Sequence, residues 1–326
     1  MTALLTIENL RVRFREADGV LVHALNGVHF NLEEGEALGV LGESGSGKST
    51  VAKSVMRLLA RNAEIVSGAV KFGGKDLLKL SERQLNRVRG AGMAMISQEP
   101  GLALNPVMKV GDQIAEVLRA HYPRRVRQCR SEAAAILERV LPDSPTRKMY
   151  DAYPHQLSGG QQQRVVIGQA IACKPSLIIA DEPTASSDSA TEVDILNLFR
   201  ELQSEQKMSL LLITHDPTIL RGLADRVCVM YAGRIVEEAA TNQLFASPQH
   251  PYVQGLLACR PAENASRTRG LRLPTIVGAQ PDPRKSHTGC TFSPRCLERL
   301  NKCETASPAE FRIGNDSRVE CLLYDR

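Results

Sequence analysis

The chain has 326 residues, of which 43% are hydrophobic and 24% are charged, and its formal net charge is +5. This length fits one large domain with an appendage or two modest domains. The composition is ordinary for a globular protein, and so small a charge gives no argument for nucleic acid as a partner. No apolar run reaches the ~18 residues of a membrane helix, and the N-terminus lacks the pattern of a secretory signal, so we expect a cytosolic protein.

The first hundred residues indicate an α/β domain. Short strands are predicted at 5–14, 24–32, 37–41 and 93–97. The strand at 37–41 is apolar throughout, which is typical of a buried parallel strand. A helix is predicted from Lys48 to Leu59, and a more polar helix over 76–89.

A glycine-rich loop follows the strand at 37–41 and matches the pattern G-x-x-x-x-G-K-[ST]. The loop and the start of its helix comprise Gly42, Glu43, Ser44, Gly45, Ser46, Gly47, Lys48, Ser49 and Thr50. Its glycines let backbone N–H groups turn inward around phosphates, and the helix N-terminus adds the positive end of a dipole. We expect Lys48 to reach the β- and γ-phosphates and Ser49 to bind Mg²⁺. A chance match in a Gly/Ser-rich loop is the weaker interpretation, because the flanking strand and helix are both present.

The rest of the chain divides into a helical insertion, a second β-rich block and a tail. Helical periodicity from 105 to 169 predicts an insertion within an α/β core, which we place at about 99–168. Further elements are predicted as strands at 177–180 and 210–213, a hairpin at 227–236, and a helix behind the capping pattern Ser189-x-x-Glu192. After about residue 250 the periodicity fades, which predicts a nucleotide-binding domain over 1–250 and a small extension over 251–326.

Polar side chains follow the ends of several predicted strands, where ligands bind in open α/β sheets. Asp181 is expected to hold Mg²⁺, directly or through water, and Glu182 to polarise the attacking water. His215 is suited to contact the γ-phosphate or to orient Glu182, and Gln98 can offer an amide oxygen to Mg²⁺ or water. The structural alternatives are a charged helix N-terminus for Asp181-Glu182 and a surface position for His215.

Together these residues resemble the ATP-binding subunit of ATP-binding-cassette (ABC) transporters over residues 5–245. The matching segments are the Walker A loop at 42–49, the Q-loop Gln98, the signature Leu157-Ser158-Gly159-Gly160-Gln161, the Walker B strand with its glutamate at 177–182 and the H-loop His215. The resemblance implies a P-loop NTPase (RecA-like) core with an antiparallel β subdomain. It also implies a dimer in which the signature of each subunit closes over the ATP of the other, with the helix N-terminus facing the γ-phosphate.

Two further positions enter through this resemblance. Phe14 matches the aromatic A-loop residue that stacks on adenine, although plain core packing would also explain it. Asp188 matches the D-loop, but the usual Thr-Ala-Leu-Asp reads Ala185-Ser186-Ser187-Asp188 here. The contact between the two ATP sites of a dimer is therefore expected to differ from that of the family.

A narrower resemblance, to the dipeptide/oligopeptide/nickel importer branch, is carried by the segments at 98–108, 153–157, 250–252 and 289–321. It implies an ATPase on the cytoplasmic face of the inner membrane that powers import of peptides or a related small solute, with nickel or a metallophore as the alternative. The implied partners are a second, different ABC ATPase in a heterodimer, two membrane permeases and an extracytoplasmic solute-binding protein. The Q-loop and the helical insertion would receive the coupling helices of the permeases.

Four of the 8 cysteines lie close together in the tail: Cys290, Cys296, Cys303 and Cys321. In a cytosolic chain such clustering indicates metal before disulfide. The intervals of 5, 6 and 17 residues match neither the zinc nor the ferredoxin spacings, so the residues alone indicate a soft-metal site of unknown type. The branch resemblance favours a 4Fe–4S cluster, with zinc or unliganded thiols as alternatives. A structural role is expected, because the tail has little apolar sequence of its own.

Two other functions are weighed against the importer. A cassette protein that acts on ribosomes or DNA usually has two cassettes in one chain or a long coiled coil, and this sequence has neither. A weakly active, structural partner subunit would fit the altered D-loop, but Lys48, Asp181, Glu182 and His215 argue against it. The residues do not identify the transported solute, because a cassette does not touch it.

Overall fold

The computed structural model describes residues 3–185, 189–259, 275–285, 287–314 and 317–325. The strands in these residues are β1 (Ala3–Arg15), β2 (Leu21–Glu33), β3 (Ala37–Leu41), β4 (Ala63–Phe72), β5 (Lys75–Asp76), β6 (Met93–Ile96), β7 (Leu177–Asp181), β8 (Ser209–Thr214), β9 (Arg226–Tyr231), β10 (Arg234–Ala240), β11 (Glu310–Ile313) and β12 (Ser317–Glu320). The helices are α1 (Lys48–Val55), α2 (Glu82–Val88), α3 (Pro100–Ala103), α4 (Val110–His121), α5 (Val126–Val140), α6 (Thr146–Tyr150), α7 (Gly159–Ile171), α8 (Ser189–Gln206), α9 (Pro217–Arg221), α10 (Thr241–Ala246) and α11 (Pro251–Ala258).

The strands form two sheets. A four-stranded antiparallel sheet has the order β2-β1-β4-β5, and an eight-stranded sheet has the order β11-β12-β10-β9-β3-β8-β7-β6. In the larger sheet the strands from β9 to β6 run parallel, and β10, β12 and β11 continue it in antiparallel fashion. The parallel strands therefore bring their carboxyl ends to one edge of the sheet, as expected from the sequence.

The parallel strands are buried on both faces. Every residue of β3, β7 and β8 is buried, which explains their continuous apolar sequence. Their side chains alternate between two cores. Leu177 and Ile179 pack toward the antiparallel sheet and α1, whereas Ile178 and Ala180 pack toward the helices. The predicted helical insertion is present as α3 to α7, and this confirms the α/β core with an antiparallel subdomain.

Two predicted helices differ from the structure. The helix that begins at Lys48 ends at Val55 rather than at Leu59, because Arg57 adopts a left-handed conformation with φ 49°. The helix predicted over 76–89 begins at Glu82. It is preceded by β5 and a 3₁₀ turn, and the Ser81 hydroxyl starts it through a capping box with Gln84.

The tail contributes elements that its weak periodicity did not predict. The strand β12 pairs with β10, so the β11–β12 hairpin extends the main sheet. Arg318 of β12 forms an ion pair with the buried Glu238 of β10, and Arg226 of β9 reaches the same carboxylate at 2.6 Å. The domain boundary at about residue 250 and the bounds 99–168 of the helical insertion stay predictions.

Within the residues that the structure describes, no helix is long and apolar enough to cross a membrane.

Candidate nucleotide site

A cavity of about 1190 Å³ lies at the carboxyl edge of the parallel strands. The loop after β3 lines it, together with Gln98, Glu182 and His215, which follow β6, β7 and β8. Further lining comes from residues of β2, from the turn between β9 and β10, and from tail residues that include Gln280, Asp282 and Lys285. One topological edge thus gathers the polar side chains that the sequence placed at strand ends.

Close approach of the backbone explains why the loop after β3 needs its glycines. A Cβ on Gly42 would lie 2.4 Å from the carbonyl oxygen of Met230. Gly47 has φ 104°, and a Cβ there would lie 2.7 Å from the carbonyl oxygen of Ala24. The loop curls around the head of Lys48, whose ammonium donates to the carbonyls of Gly42 at 2.8 Å and Glu43 at 3.0 Å. This is the cradle that nucleotide phosphates require.

Lys48 is a buried cation in an acidic setting. It is only 7% exposed. Burial lowers the pKa of its ammonium, and the charges of Glu182, Asp181 and Glu43 oppose that shift. Phosphate oxygens in the cavity would add negative charge at the same place and would keep the ammonium protonated.

Oxygen donors for a magnesium ion lie beside the phosphate loop. The Ser49 hydroxyl donates to Asp181 Oδ1 at 3.1 Å, and Gln98 lines the cavity. Burial raises the pKa of Asp181, and the neighbouring Glu182 adds to the effect. Among the described residues no three His, Cys, Asp or Glu side chains form a ready-made metal site. The donor set fits Mg²⁺, which usually takes one or two carboxylates and completes its shell with phosphates and water.

Glu182 and His215 form the centre of the site. The ring atom Nδ1 of His215 lies 2.9 Å from both carboxylate oxygens of Glu182, which is buried. The backbone of Glu182 has φ 51°, a strained conformation for this residue type, and its N–H donates to the carbonyl of Ile213 at 2.9 Å. The backbone of β8 and the ring of His215 together fix the direction of this carboxylate.

The signature segment lies away from this chain's own cavity. Ser158 is the N-cap of α7, and its hydroxyl and backbone N–H exchange hydrogen bonds with Gln161 in a capping box. A Cβ on Gly160 would lie 2.8 Å from Thr191. Of the described residues that line the cavity, none belongs to the signature. The exposed N-terminus of α7 is therefore free to face a nucleotide held elsewhere.

The predicted adenine-stacking residue Phe14 is not among the described residues that line the cavity. Phe14 is half-buried and packs against the core between the antiparallel sheet and α1, while Val22 and His23 of the next strand line the cavity. Its stacking on adenine stays a prediction. Asp188 lies outside the described residues.

The structure adds three contacts to the phosphate loop that the motifs did not predict. The Arg295 guanidinium donates to both carboxylate oxygens of Glu43, at 2.9 and 3.1 Å. Gln280 donates to the same carboxylate at 2.7 Å, and the Tyr252 hydroxyl accepts from the Glu43 N–H at 3.0 Å. Burial alone would raise the pKa of Glu43, but Arg295 and Gln280 outweigh it and lower that pKa. The signals available in the sequence were the segments at 250–252 and 289–321, which carry the narrower resemblance and contain Tyr252 and Arg295.

The four tail cysteines form one group of reduced thiols. The backbone N–H of Cys290 donates to the carbonyl of Cys303 at 2.8 Å. Burial raises the pKa of Cys321 to about 11, and the thiols of Cys290, Cys296 and Cys303 add to the shift. Four soft sulfur donors in a partly buried tail fit an iron–sulfur cluster in their chemistry. Within the described part of the chain they do not form a set arranged around a single metal ion.

Comparison with known proteins identifies the class. The family described as "ABC transporter" matches residues 25–185. A dimeric ATP-binding cassette in a post-hydrolysis state with ADP and Pi superposes with a TM-score of 0.65, at 27% identity over 73% of this chain and 98% of that chain. The protein cbiO1 of Clostridium perfringens gives 0.64, at 27% identity over 76% and 92%. The fold and the phosphate site thus define an ABC-type ATPase.

The tail narrows the identification. The family described as "Oligopeptide/dipeptide transporter, C-terminal region" matches residues 236–303. The dipeptide transport ATP-binding protein DppD of Bacillus subtilis is 40% identical over 100% of this chain and 96% of its own length. The oligopeptide transport ATP-binding protein OppD of Escherichia coli is 41% identical over 94% and 90%. The chain belongs to this family of ABC transporter ATP-binding subunits.

Proposed function

We propose that this chain hydrolyses ATP to drive import of di- or oligopeptides through a membrane ABC transporter. The single observation that carries the ATPase step is the contact between Glu182 and His215 in the lining of the phosphate cavity. The Nδ1 atom of His215 lies 2.9 Å from the Glu182 carboxylate. The family match of the tail and the peptide-transport names of the relatives support peptide, rather than another solute, as the transported molecule. No feature of the described residues favours nickel or a metallophore.

The residues divide the chemistry between them. The loop from Gly42 to Thr50 holds the β- and γ-phosphates with backbone N–H groups, and Lys48 adds a positive charge. Ser49, Asp181 and Gln98 would hold Mg²⁺, which supplies positive charge to the phosphates. Glu182 accepts a proton from the water that attacks the γ-phosphorus, ADP leaves, and His215 keeps the carboxylate aimed at that water.

The site is completed in a dimer. We place Ser158, Gly159, Gly160 and Gln161 against the ATP of a second ABC ATPase subunit, and that subunit's signature over the cavity described here. The exposed N-terminus of α7, outside this chain's cavity, supports this arrangement. The second ATPase is proposed to be a different chain, with Asp188 at the contact between the sites and Phe14 at the adenine.

Further partners follow from the importer function. We propose two membrane permeases, whose coupling helices contact the Q-loop and the helical insertion, and an extracytoplasmic binding protein that delivers the peptide. This places the chain on the cytoplasmic face of the cell membrane. Exposed apolar side chains in the insertion support such a contact, since Leu102 is 82% and Val107 79% exposed.

The transport proposal is tested on the assembled complex in lipid vesicles. Peptide-loaded binding protein should stimulate ATP turnover and peptide should accumulate inside the vesicles. Stimulation by a nickel-loaded or metallophore-loaded binding protein, with none by peptide, would replace the peptide assignment. A complex that hydrolyses ATP without moving solute would overturn the transport assignment.

We also propose a 4Fe–4S cluster on Cys290, Cys296, Cys303 and Cys321, with a structural role in the tail. Anaerobic purification should give a brown protein with four iron and four sulfide ions, as expected for such a cluster. Cys296→Ser should lose the colour, whereas Cys259→Ser, outside the group, should keep it. A colourless sample that contains zinc or no metal would contradict the cluster.

A further inference from the structure

We propose that Arg295 is a positioning residue for the phosphate loop, and that the C-terminal extension thereby forms part of the nucleotide site. The inference rests on the proposed ATPase function. It concerns how this chain prepares its own loop before a nucleotide arrives.

The Arg295 side chain is held in one orientation from several directions. It is 6% exposed, and its two terminal nitrogens pair with the two oxygens of Glu43. Its third nitrogen donates to the carbonyl of Val277 at 3.3 Å, and its guanidinium lies 5.7 Å from the ring centre of Tyr231. A planar guanidinium in a two-point contact fixes direction as well as distance, which a lysine would not do.

The partner of Arg295 is the second residue of the phosphate loop. Glu43 lies between Gly42 and Ser44, and its carbonyl accepts a hydrogen bond from the Lys48 ammonium. Gln280 donates both to the Glu43 carboxylate and to the Ser44 carbonyl, at 2.7 and 3.0 Å. Groups from the tail therefore hold the side chain and the backbone of the loop at the place where its N–H groups turn toward phosphates.

The ion pair between Arg295 and Glu43 also affects the charge of the phosphate loop. A carboxylate in the phosphate loop would repel a nucleotide that carries several negative charges. Arg295 compensates the charge of Glu43 within a hydrogen-bonded pair. The Glu43 side chain can therefore fix the position of the loop without repelling the nucleotide. Loss of Arg295 leaves a partly buried carboxylate beside the phosphates with Gln280 but no cation as its partner, which should weaken nucleotide binding more than loss of both charges.

A purely structural role for Arg295, in which it only attaches the tail to the loop, leads to different expected results. If Arg295 only attached the tail, replacing it would lower thermal stability, and removing the charge of Glu43 as well would not restore nucleotide affinity. If Arg295 positions and neutralises the loop, the second substitution should recover much of the affinity. The two roles are therefore separated by a double-mutant cycle.

The experiment uses the full chain in the assembled complex, with a non-hydrolysable ATP analogue as the probe. Arg295→Met should raise the Kd about tenfold or more, the range expected for loss of a charge-assisted pair. Arg295→Lys should give a smaller rise, and the double variant Arg295→Met/Glu43→Gln should bind more tightly than Arg295→Met alone. Arg312→Met, an exposed arginine on β11, is the matched control and should leave the Kd unchanged.

Hydrolysis adds a second readout. The KM for ATP should rise with the Kd in Arg295→Met, while kcat falls less, because Glu182 and His215 are untouched. If Arg295→Met fails to fold, Arg295→Lys and its combination with Glu43→Gln give the same comparison. Unchanged affinity in Arg295→Met and Arg295→Lys, or no recovery in the double variant, would overturn the inference. A complex that binds the analogue in an Arg295-dependent way but does not hydrolyse ATP would instead overturn the proposed function alone.

Discussion

The imidazole of His215 lies 2.9 Å from both carboxylate oxygens of Glu182, so the residue after β8 holds the residue after β7. Glu182 is buried and has a left-handed backbone, whereas the His215 side chain is 61% exposed. The backbone of Glu182 at the end of β7 therefore sets the direction of its side chain, and the His215 ring contacts the carboxylate from the cavity side.

Replacing His215 with alanine should lower kcat with little change in KM for ATP. Glu182 loses the contact that orients it, while the phosphate loop is unaltered. We expect kcat to fall about a hundredfold, the lower end of what a positioned general base contributes. Steady-state ATP hydrolysis by the assembled complex measures both constants. His121→Ala, on the last turn of α4 and outside the cavity lining, should leave kcat unchanged. A pure KM effect would contradict the orienting role.

Replacing Lys48 with alanine should weaken nucleotide binding. The ammonium lies inside the loop, where it donates to the carbonyls of Gly42 and Glu43. Loss of a charge-assisted contact of about 2 kcal/mol corresponds to a Kd some thirtyfold higher. Lys53→Ala, an exposed lysine on the same helix α1, is the control. Equal effects of the two substitutions on calorimetric titration would argue against a phosphate role for Lys48.

Replacing Arg318 with methionine should destabilise the protein. Arg318 joins the tail hairpin to the sheet through Glu238, which is 4% exposed and would be left in a buried site with a weakened partner set. Removing one partner of such a pair costs about 3 kcal/mol. Thermal unfolding should show a lower Tm, whereas Arg312→Met on the adjacent strand should change it little. An unchanged Tm for Arg318→Met would contradict a tail that is integral to the sheet.

His250 makes stability depend on pH. Burial lowers the pKa of this imidazole from 6.5 to about 3, and its Nδ1 accepts the Tyr252 N–H at the start of α11. Below pH 6.5 the unfolded state binds a proton that the folded state refuses, so the free energy of unfolding falls as pH drops from 6.5 toward 3. Between pH 7 and pH 5 the loss is about 2 kcal/mol.

Denaturant titrations at several pH values measure this loss. His250→Asn retains a side chain that caps helices but removes the titrating group, so its stability should vary less over the same interval. The same pH dependence in both proteins would assign the effect to other groups.

Local sequence patterns predicted the residues of the nucleotide site, but they did not predict the architecture of the tail. The phosphate loop, Asp181-Glu182 and His215 are each read from a strand and its following residues, and parallel topology then brings them together. Arg295 and Glu43 meet across 252 residues, and no periodicity or spacing in the tail indicates that contact. The β11–β12 hairpin likewise depends on a long-range contact, the pairing of β12 with β10.

Other differences have equally physical causes. The end of α1 is fixed by the left-handed Arg57, a conformation that helix propensity does not predict. Phe14 has the sequence position of an adenine-stacking residue, yet its ring packs into the core beside α1, which is the alternative that any apolar residue on a half-buried strand allows.

The most direct test of an ATPase centred on Glu182 is single-turnover and steady-state hydrolysis by a complex that carries Glu182→Gln in this chain. Gln keeps the size and a hydrogen-bonding oxygen but cannot take a proton from water. ATP binding should be retained, the ATP-bound dimer should accumulate, and hydrolysis and transport should fall at least about a hundredfold. Undiminished hydrolysis and transport in this variant would contradict the role of Glu182 and would make this chain a structural partner of another ATPase.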